Sequence, residues 1–171
     1  MAHIYCIHGF LGLPSDWNFL ENDYSSHVFY KVDLSADYHP DEGFKGFSKH
    51  LNSLINPDET NILLGYSLGG RLALHAIKDF PKAWKAAMLV SVNPGLQSEE
   101  MQADRILRDG VWAIRFLAEN WNTLLSRWNQ QPVFLQSSGI DRRMEDFNRD
   151  FLADMLTFWV PRQAARFARN N

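Results

Sequence analysis

The stretch ILLGYSLG at residues 62–69 decides the fold of this chain. Its last five residues read G-x-S-x-G, with an apolar run before them and a segment of helical periodicity after them. Strand, tight turn and helix together form the context of a nucleophile elbow, in which the turn lifts a serine hydroxyl above a sheet. The flanking glycines let the backbone bend there without a side-chain clash. The pattern therefore predicts Ser67 as the reactive residue.

Length and composition favour a single domain and exclude several classes of protein. The chain has 171 residues, 46% of them hydrophobic, and a formal net charge of −3 with both signs interspersed. That balance indicates neither a nucleic-acid binder nor a membrane-surface binder. No apolar run is long enough to cross a bilayer, and no signal peptide is evident. With one cysteine, Cys6, and no C-x-x-C pair, we expect no disulfide, no metal and a cytoplasmic location.

Strands and helices alternate through the first half of the chain. Apolar runs at 4–7, 28–32, 62–64 and 87–92 are continuous, which predicts parallel strands buried on both faces. Apolar residues at helical spacing predict a helix at 44–55 and another from Ser67 to Pro81. Ser15 is expected to cap a short helix that carries Trp17 and Leu20.

The second half has a different character. From Ser98 onward no strand is predicted, and helical periodicity is found at 101–107, 111–117, 121–128 and 142–159. Such a helical block after the fourth strand is typical of a cap over the ends of the sheet strands. The expected organisation is an α/β core at 1–97, a helical cap at 98–160 and a tail at 161–171.

A second motif, HGFLG at residues 8–12, follows the first predicted strand. Elbow-containing hydrolases place an oxyanion-hole loop at this point. The backbone N–H groups of Phe10 and Leu68 would then hold one oxyanion between them. An ordinary strand-to-helix turn is the alternative interpretation of the motif. The N-terminus of the helix after Ser67 would also favour negative charge beside the serine.

The two motifs together resemble the α/β-hydrolase superfamily, and three stretches narrow the resemblance. GYSLGGRLA at 65–73, NPGL at 93–96 and WNQQPVF at 128–134 are similar to the 2-succinyl-6-hydroxy-2,4-cyclohexadiene-1-carboxylate synthases of menaquinone biosynthesis. The resemblance extends from Ile4 to about Phe134, although that family usually has Tyr where Asn129 stands. It implies an α/β-hydrolase fold with a mostly parallel sheet, helices on both faces and a helical cap.

The resemblance also implies an activity and a set of site residues. The family eliminates pyruvate from 2-succinyl-5-enolpyruvyl-6-hydroxy-3-cyclohexene-1-carboxylate, a small polycarboxylate, without a metal or organic cofactor. Arginine suits such a substrate because its guanidinium binds carboxylates in a bidentate manner. Implied catalytic residues are Ser67, Phe10 and Leu68, and implied substrate-binding residues are Tyr66, Arg71, Arg105 and Trp128, with Arg149 as a further arginine of the cap. The alternative is a solvated surface charge for each arginine and core packing for Tyr66 and Trp128.

The sequence shows a serine without an evident base. In this fold the acid and then the histidine follow the serine in the chain, yet no histidine follows His75. His75 lies eight residues along the elbow helix, roughly 12 Å of axial rise away, and cannot be the base. His8 is expected to structure its own loop. His39 is a candidate base only because it is predicted to lie on a loop at the same edge of the sheet.

Three explanations of this gap stay open. The chain is a shortened form of a longer enzyme, or a second chain supplies the last strands and the histidine, or the protein binds without catalysing. We favour the first, with the last strands missing, because an open sheet edge is an aggregation risk. A serine ester or thioester hydrolase on the same scaffold is the alternative activity. The sequence leaves the oligomeric state open.

Overall fold

The computed structural model describes residues 1–36, 38–96, 98–134 and 139–159. The strands are β1 (Ala2–Ile7), β2 (Val28–Val32), β3 (Thr60–Tyr66) and β4 (Ala86–Val90). The α-helices are α1 (Asn18–Asp23), α2 (Gly43–Leu54), α3 (Leu68–Asp79), α4 (Glu99–Ala118), α5 (Trp121–Asn129) and α6 (Arg149–Phe158). Short 3-10 turns occupy Pro14–Trp17, Pro40–Glu42, Pro132–Phe134 and Met144–Asp146.

The strands form one parallel sheet in the order β2-β1-β3-β4, which confirms the predicted α/β class. Ile4 lies opposite Phe29 of β2 and Ile62 of β3, and Leu64 lies opposite Met88 of β4. Because all four strands run the same way, their carboxyl ends share one edge of the sheet. The loop after β1 and the turn after β3 therefore meet at that edge, which is where open α/β sheets bind their ligands.

Helices α2 and α3 pack together beside the sheet. Each buries one apolar stripe, so that Phe47 and Leu51 of α2 join Leu72 and Ala76 of α3 and Leu63 of β3 in the core. Complete burial of a leucine side chain stabilises a fold by about 1.5–3 kcal/mol, so these side chains fix the two helices. The serine turn at the start of α3 is thereby held on a rigid base.

Helices α4, α5 and α6 each begin after a residue whose side chain accepts a backbone N–H. Ser98, Asn120 and Asn148 cap the first turns of these three helices. Such caps contribute about 1 kcal/mol each and set where a helix starts. Helix α4 packs along α6, and Phe116 of α4 is completely buried.

Three predicted helix boundaries are wrong. The segments 101–107 and 111–117 form the single helix α4, because Gly110 inside a helix costs only about 1 kcal/mol relative to alanine. Helix α6 begins at Arg149 rather than at 142, since Asn148 caps it there. Ser15 does not cap a helix: it lies inside the first 3-10 turn, and the preceding Leu13 N–H is bound by Asp16 Oδ2 at 3.0 Å.

The prediction that every strand is buried on both faces is wrong for β4. Met88 is 62% exposed and Val90 41% exposed, whereas Leu63 of the neighbouring β3 is completely buried. Helix α3 contacts β4 but leaves Met88 and Val90 exposed. The division into core and cap stays a prediction, and the tail at 161–171 lies outside the described residues.

Candidate functional site

Ser67 lies in a strained turn between β3 and α3. Its backbone has φ 52° and ψ −112°, a conformation that costs a non-glycine residue about 1–3 kcal/mol. The Ser67 N–H donates to the Val90 carbonyl at 2.9 Å, which fixes the turn against the end of β4. These are the features of a nucleophile elbow, as the sequence predicts.

Two glycines of the elbow permit a close approach of backbones. A Cβ atom on Gly69 would lie 2.1 Å from the carbonyl oxygen of Ile7 and 2.5 Å from that of His8. A Cβ atom on Gly65 would lie 2.7 Å from the Cα of Gly70. Since real Cβ atoms do not come so near to backbone, only glycine lets α3 start directly against the end of β1. The elbow and the loop after β1 are therefore adjacent.

The loop at 8–12 is a compact turn beside the serine. The Gly12 N–H donates to the Gly9 carbonyl at 3.0 Å, and Leu11 has a positive φ of 56°. A Cβ atom on Gly9 would lie 3.3 Å from the Cβ of Ser67. Within the described ranges, neither the Phe10 nor the Leu68 N–H has a hydrogen-bond acceptor. The placement is that expected of an oxyanion hole, and donors of this kind act by being fixed in advance.

His8 serves this turn rather than the serine hydroxyl. Its Nδ1 lies 2.8 Å from the Gly9 carbonyl, and because a carbonyl only accepts, Nδ1 carries the proton. Burial lowers the pKa of His8 below its ordinary value, with the Gly9 hydrogen bond acting in the opposite direction. His8 is therefore a neutral imidazole that braces its own loop.

Arg142 is a residue of this site that the sequence analysis missed. Its Nε donates to the Leu11 carbonyl at 2.9 Å, and its Nη2 lies 2.7 Å from Asp16 Oδ2. The carbonyl of Arg142 in turn accepts the indole N–H of Trp121 at 2.7 Å. No motif marks Arg142, because the two acceptors of its guanidinium, Leu11 and Asp16, lie more than 100 residues away in sequence.

Arg71 and Arg105, both predicted to bind substrate, lie close enough to influence each other and share Asp109 as a counter-charge. Arg105 Nε donates to Asp109 Oδ2 at 2.6 Å, and Arg71 Nη1 donates to the Trp159 carbonyl at 3.3 Å. Burial, followed by repulsion from Arg105, lowers the pKa of Arg71 to about 10. Burial raises the pKa of Asp109, and Arg105 opposes that rise. Two guanidiniums with one carboxylate leave a net positive cluster one helical turn beyond Ser67.

Trp128 and Tyr66, the two aromatic residues predicted to bind substrate, differ in burial. Trp128 is 9% exposed, and its ring lies 4.9 Å from Phe10 and 5.4 Å from Phe116, between the oxyanion loop and the cap. Its indole N–H is buried without a hydrogen-bond partner among the described residues. Tyr66 is 46% exposed at the carboxyl end of β3. Trp128 thus packs in the core with its indole N–H unpaired among the described residues, and its role in substrate binding stays a prediction.

The guanidinium of Arg149 binds backbone carbonyls at the end of helix α4. Its guanidinium donates to the carbonyls of Phe116 and Glu119, at 2.6 Å for Glu119, and reaches the Arg115 carbonyl at 3.4 Å. These carbonyls lie at the end of α4, where a helix leaves its last carbonyls without internal partners. In the structure Arg149 therefore joins α6 to α4.

No base accompanies Ser67 within the described residues. Its Oγ has no hydrogen-bond partner there. His75 stacks on the Phe44 ring at 4.2 Å, and burial lowers its pKa. His39 precedes the turn Pro40–Glu42 and is exposed. A serine hydroxyl without a histidine is a weak base, so the geometry supplies an elbow and an oxyanion loop without proton transfer.

Metal-binding clusters and membrane-spanning helices are both absent from the described part of the chain. None of its clusters of His, Cys, Asp or Glu contains three side chains placed to bind a metal ion. None of its helices combines the length and the apolar character that crossing a membrane requires.

Comparisons with known proteins find similar sequences and a similar fold. The chain is 30% identical over 145 residues to the 2-succinyl-6-hydroxy-2,4-cyclohexadiene-1-carboxylate synthase of Serratia proteamaculans (strain 568), over 80% of this chain and 56% of that protein. It is 33% identical over 144 residues to the synthase of the same name from Escherichia coli O1:K1 / APEC, over 80% of this chain and 57% of that protein. The chain thus spans little more than half the length of these curated relatives.

A solved structure and a family model give the fold. The structure of MenH from S. aureus superposes with a TM-score of 0.79 at 19% identity, covering 95% of this chain and 67% of that one. The model of the alpha/beta hydrolase family matches residues 4–170. With its parallel sheet, its serine turn after β3 and this family match, the chain belongs to the alpha/beta hydrolase family.

Proposed function

We propose that this chain carries the serine, the oxyanion loop and the carboxylate-binding arginines of a carbon–oxygen lyase. The reaction is elimination of pyruvate from 2-succinyl-5-enolpyruvyl-6-hydroxy-3-cyclohexene-1-carboxylate. The observation that carries the proposal is the net positive cluster of Arg71, Arg105 and Asp109 beside the elbow. A simple ester hydrolase needs no such charge, whereas a polycarboxylate substrate does.

The electrostatics of Arg71 explain why an anion would bind there. Its buried guanidinium is repelled by Arg105 and receives only partial compensation from Asp109. With a pKa of about 10 it stays protonated at neutral pH. A substrate carboxylate would supply the missing negative charge, and both guanidiniums could donate to it. Because the site is partly buried, that ion pair would be screened less by salt than a surface pair.

In the proposed elimination, Ser67 and the Phe10 and Leu68 N–H groups each have a role. The oxygen of Ser67 removes a ring proton, a ring double bond forms, and the bond between the ring carbon and the ether oxygen of the enolpyruvyl group breaks. The leaving enolpyruvate becomes pyruvate when its methylene carbon takes up a proton. Charge that develops on the conjugated carbonyl is held by the Phe10 and Leu68 N–H groups. Ser67 reacts this way only when a histidine accepts its proton. For the chain alone we expect substrate binding with feeble turnover.

Calorimetric titration with the substrate tests the binding half of the proposal. Arg71→Gln should weaken substrate binding at least tenfold, the effect of losing about 1.4 kcal/mol from a charged hydrogen bond. Lys78→Gln is the matched control, since Lys78 is exposed further along the same helix. If the two variants bound the substrate with equal affinity, the proposal that the arginine cluster binds its carboxylate would be contradicted.

Pyruvate release, followed with a coupled dehydrogenase, tests the chemical half. Ser67→Ala should abolish any release above background, while Ser53→Ala, an exposed serine of α2, should not change it. Hydrolysis of an aryl ester without pyruvate release would favour the ester hydrolase instead. If Ser67→Ala left every activity unaltered, both enzyme hypotheses would fail and a binding protein would be left.

A further inference from the structure

Helix α4 has an apolar face in addition to the side that packs in the core. Its buried residues are Asp109, Ala113 and Phe116, and this side packs along α6. One apolar stripe, facing the core, is what a surface helix of a globular protein normally carries. A second set of apolar residues in α4 is exposed: Ala103, Ile106, Leu107, Val111, Ile114, Leu117 and Ala118. The helix therefore presents apolar side chains to solvent along most of its length.

These exposed residues follow the spacing of a coiled-coil seam. Intervals of four and three residues alternate through a line that we name the outer seam: Ala103, Leu107, Gly110, Ile114 and Leu117. Leu107 is 71% exposed and Ile114 67% exposed. Monomeric soluble proteins rarely expose contiguous apolar patches larger than a few hundred Å². The outer seam therefore has the pattern of a surface that another helix covers.

The outer seam is complementary to a reversed copy of itself. A two-fold axis between Gly110 and Val111 places Leu107 of one copy against Ile114 of the other, because the two residues lie equally far from the axis. Nothing lies within 4 Å of the position that a Cβ atom on Gly110 would occupy, so a second helix can approach closely there. Such a self-complementary patch is what a two-fold dimer requires.

The charges beside the outer seam favour the antiparallel orientation. In a parallel pair, Glu99 of one copy would face Asp104 of the other across the seam, and the two carboxylates would repel. In the antiparallel pair, Asp104 of one copy lies near the end of α4 that carries Arg115 in the other copy. Asp104 and its neighbour Arg108, which bind each other at 2.9 Å, are both exposed and accessible to a second copy.

A membrane surface fits α4 less well than a second copy. Helices that lie on membranes carry mostly Lys and Arg on their polar face, which attracts anionic lipids. Helix α4 has four acidic and three basic residues, so its formal charge is −1. Its polar residues therefore do not favour an anionic lipid surface.

We propose that the outer seam of α4 binds the outer seam of a second copy of this chain in an antiparallel, two-fold symmetric contact. The inference is independent of the proposed function. Arg105 and Asp109 lie on other sides of α4, and Asp109 is buried, so the seam contains none of the residues assigned to substrate binding.

Sedimentation equilibrium of the full 171-residue chain tests the dimer. We expect twice the chain mass of 19.8 kDa. Leu107→Glu should raise the dimer dissociation constant by about a hundredfold or more, because symmetry puts each substituted residue into the interface twice. Met88→Glu, at a comparably exposed apolar residue of β4, is the control and should leave the constant unchanged. Both side chains are exposed, so circular dichroism should show an intact fold in each variant.

Disulfide cross-linking tests the orientation of the two helices. Gly110→Cys should give a covalent dimer under mild oxidation, because the two copies of this residue meet beside the axis. Ala103→Cys should not, since reversed helices put the two copies of residue 103 roughly 22 Å apart along the seam. The natural thiol of Cys6 is completely buried and should not cross-link.

Four results would overturn the proposal. The first is a chain that stays monomeric up to the highest concentration measured. The second is a dimer that Met88→Glu dissociates and Leu107→Glu does not, because β4 is then the interface. The third is cross-linking of Ala103→Cys as complete as that of Gly110→Cys, which indicates a parallel pair. The fourth is a monomer that sediments with vesicles of phosphatidylcholine and phosphatidylglycerol, because lipid then covers the seam.

Discussion

Arg142 reaches back 131 residues to bind the carbonyl of Leu11 through its Nε at 2.9 Å. This contact joins the segment before α6 to the loop that presents the Phe10 N–H. Because Leu11 has a positive φ, its loop needs support from outside its own backbone. The segment before α6 and the loop at 8–12 are therefore joined, and a change in one is expected to alter the other.

The Arg142 link should be measurable as stability. Arg142→Met removes the hydrogen bonds to Leu11 and Asp16 while keeping an apolar stem, and should lower the free energy of unfolding by about 1–2 kcal/mol. Urea unfolding followed by tryptophan fluorescence measures this. Arg143→Met is the adjacent control, since Arg143 is exposed, and its urea midpoint should match that of the unaltered protein. Equal midpoints for both variants would contradict the link.

Two glycines should respond to alanine in opposite directions. Gly69→Ala puts a Cβ atom 2.1 Å from the Ile7 carbonyl oxygen and should cost about 3 kcal/mol or more, or prevent folding. Gly110→Ala meets nothing within 4 Å inside α4 and should add about 0.5–1 kcal/mol. Thermal unfolding of both variants tests this. A stabilised Gly69→Ala protein would show that the elbow does not need the close approach.

The junction of α4 and α6 depends on Arg149. Arg149→Gln leaves the carbonyls of Phe116 and Glu119 without their charged donor, which should cost about 1.5–3 kcal/mol in urea unfolding. Arg108→Gln is the control, because its exposed pair with Asp104 is worth only about 0–1 kcal/mol. If substrate affinity fell in Arg149→Gln with no loss of stability, Arg149 would bind substrate rather than join the helices.

Stability should decrease in mild acid because of His8. Burial lowers the pKa of His8 below its ordinary value of 6.5. Below pH 6.5 the unfolded chain therefore binds a proton that the folded chain resists, so stability present above that pH is lost as the pH falls toward the folded pKa. His75 is shifted in the same direction and adds to the loss.

The contribution of His8 can be separated by substitution. His8→Gln should show a smaller drop in urea midpoint between about pH 7.5 and about pH 5.5 than the unaltered protein. The exposed His27→Gln is the control and should keep the full drop. An unchanged drop in His8→Gln would mean that other groups cause the acid sensitivity.

Local signals predict the core of this protein well. Continuous apolar runs identified all four strands of the sheet, and G-x-S-x-G after β3 placed Ser67 in a turn whose positive φ the structure shows. These features depend on neighbouring residues, such as the glycines that permit the bend. The helix boundaries near 110 and 149 were missed, because one glycine costs too little to end a helix and a capping asparagine was overlooked.

The supporting residues of the site could not be found in this way. Asp109 looks like one more surface charge of an amphipathic helix, and its pairing with Arg105 near Arg71 depends on how α3 and α4 are placed. Arg142 has no sequence signature at all, since its partners lie at the other end of the chain. The resemblance gave Arg149 only as a further arginine of the predicted cap, and nothing in the sequence indicated that its guanidinium binds the end of α4.

The sequence by itself determined the parallel α/β core, the serine turn after β3, the loop at 8–12 beside it and the lack of a histidine after His75. These follow from short-range patterns, because apolar runs, glycines and capping residues act on their immediate neighbours. Only the tertiary structure decided that Arg71 and Arg105 share one carboxylate, that Arg142 binds the loop at 8–12 and that β4 is exposed. Those features arise where distant segments meet, and burial and charge there depend on the whole packed arrangement.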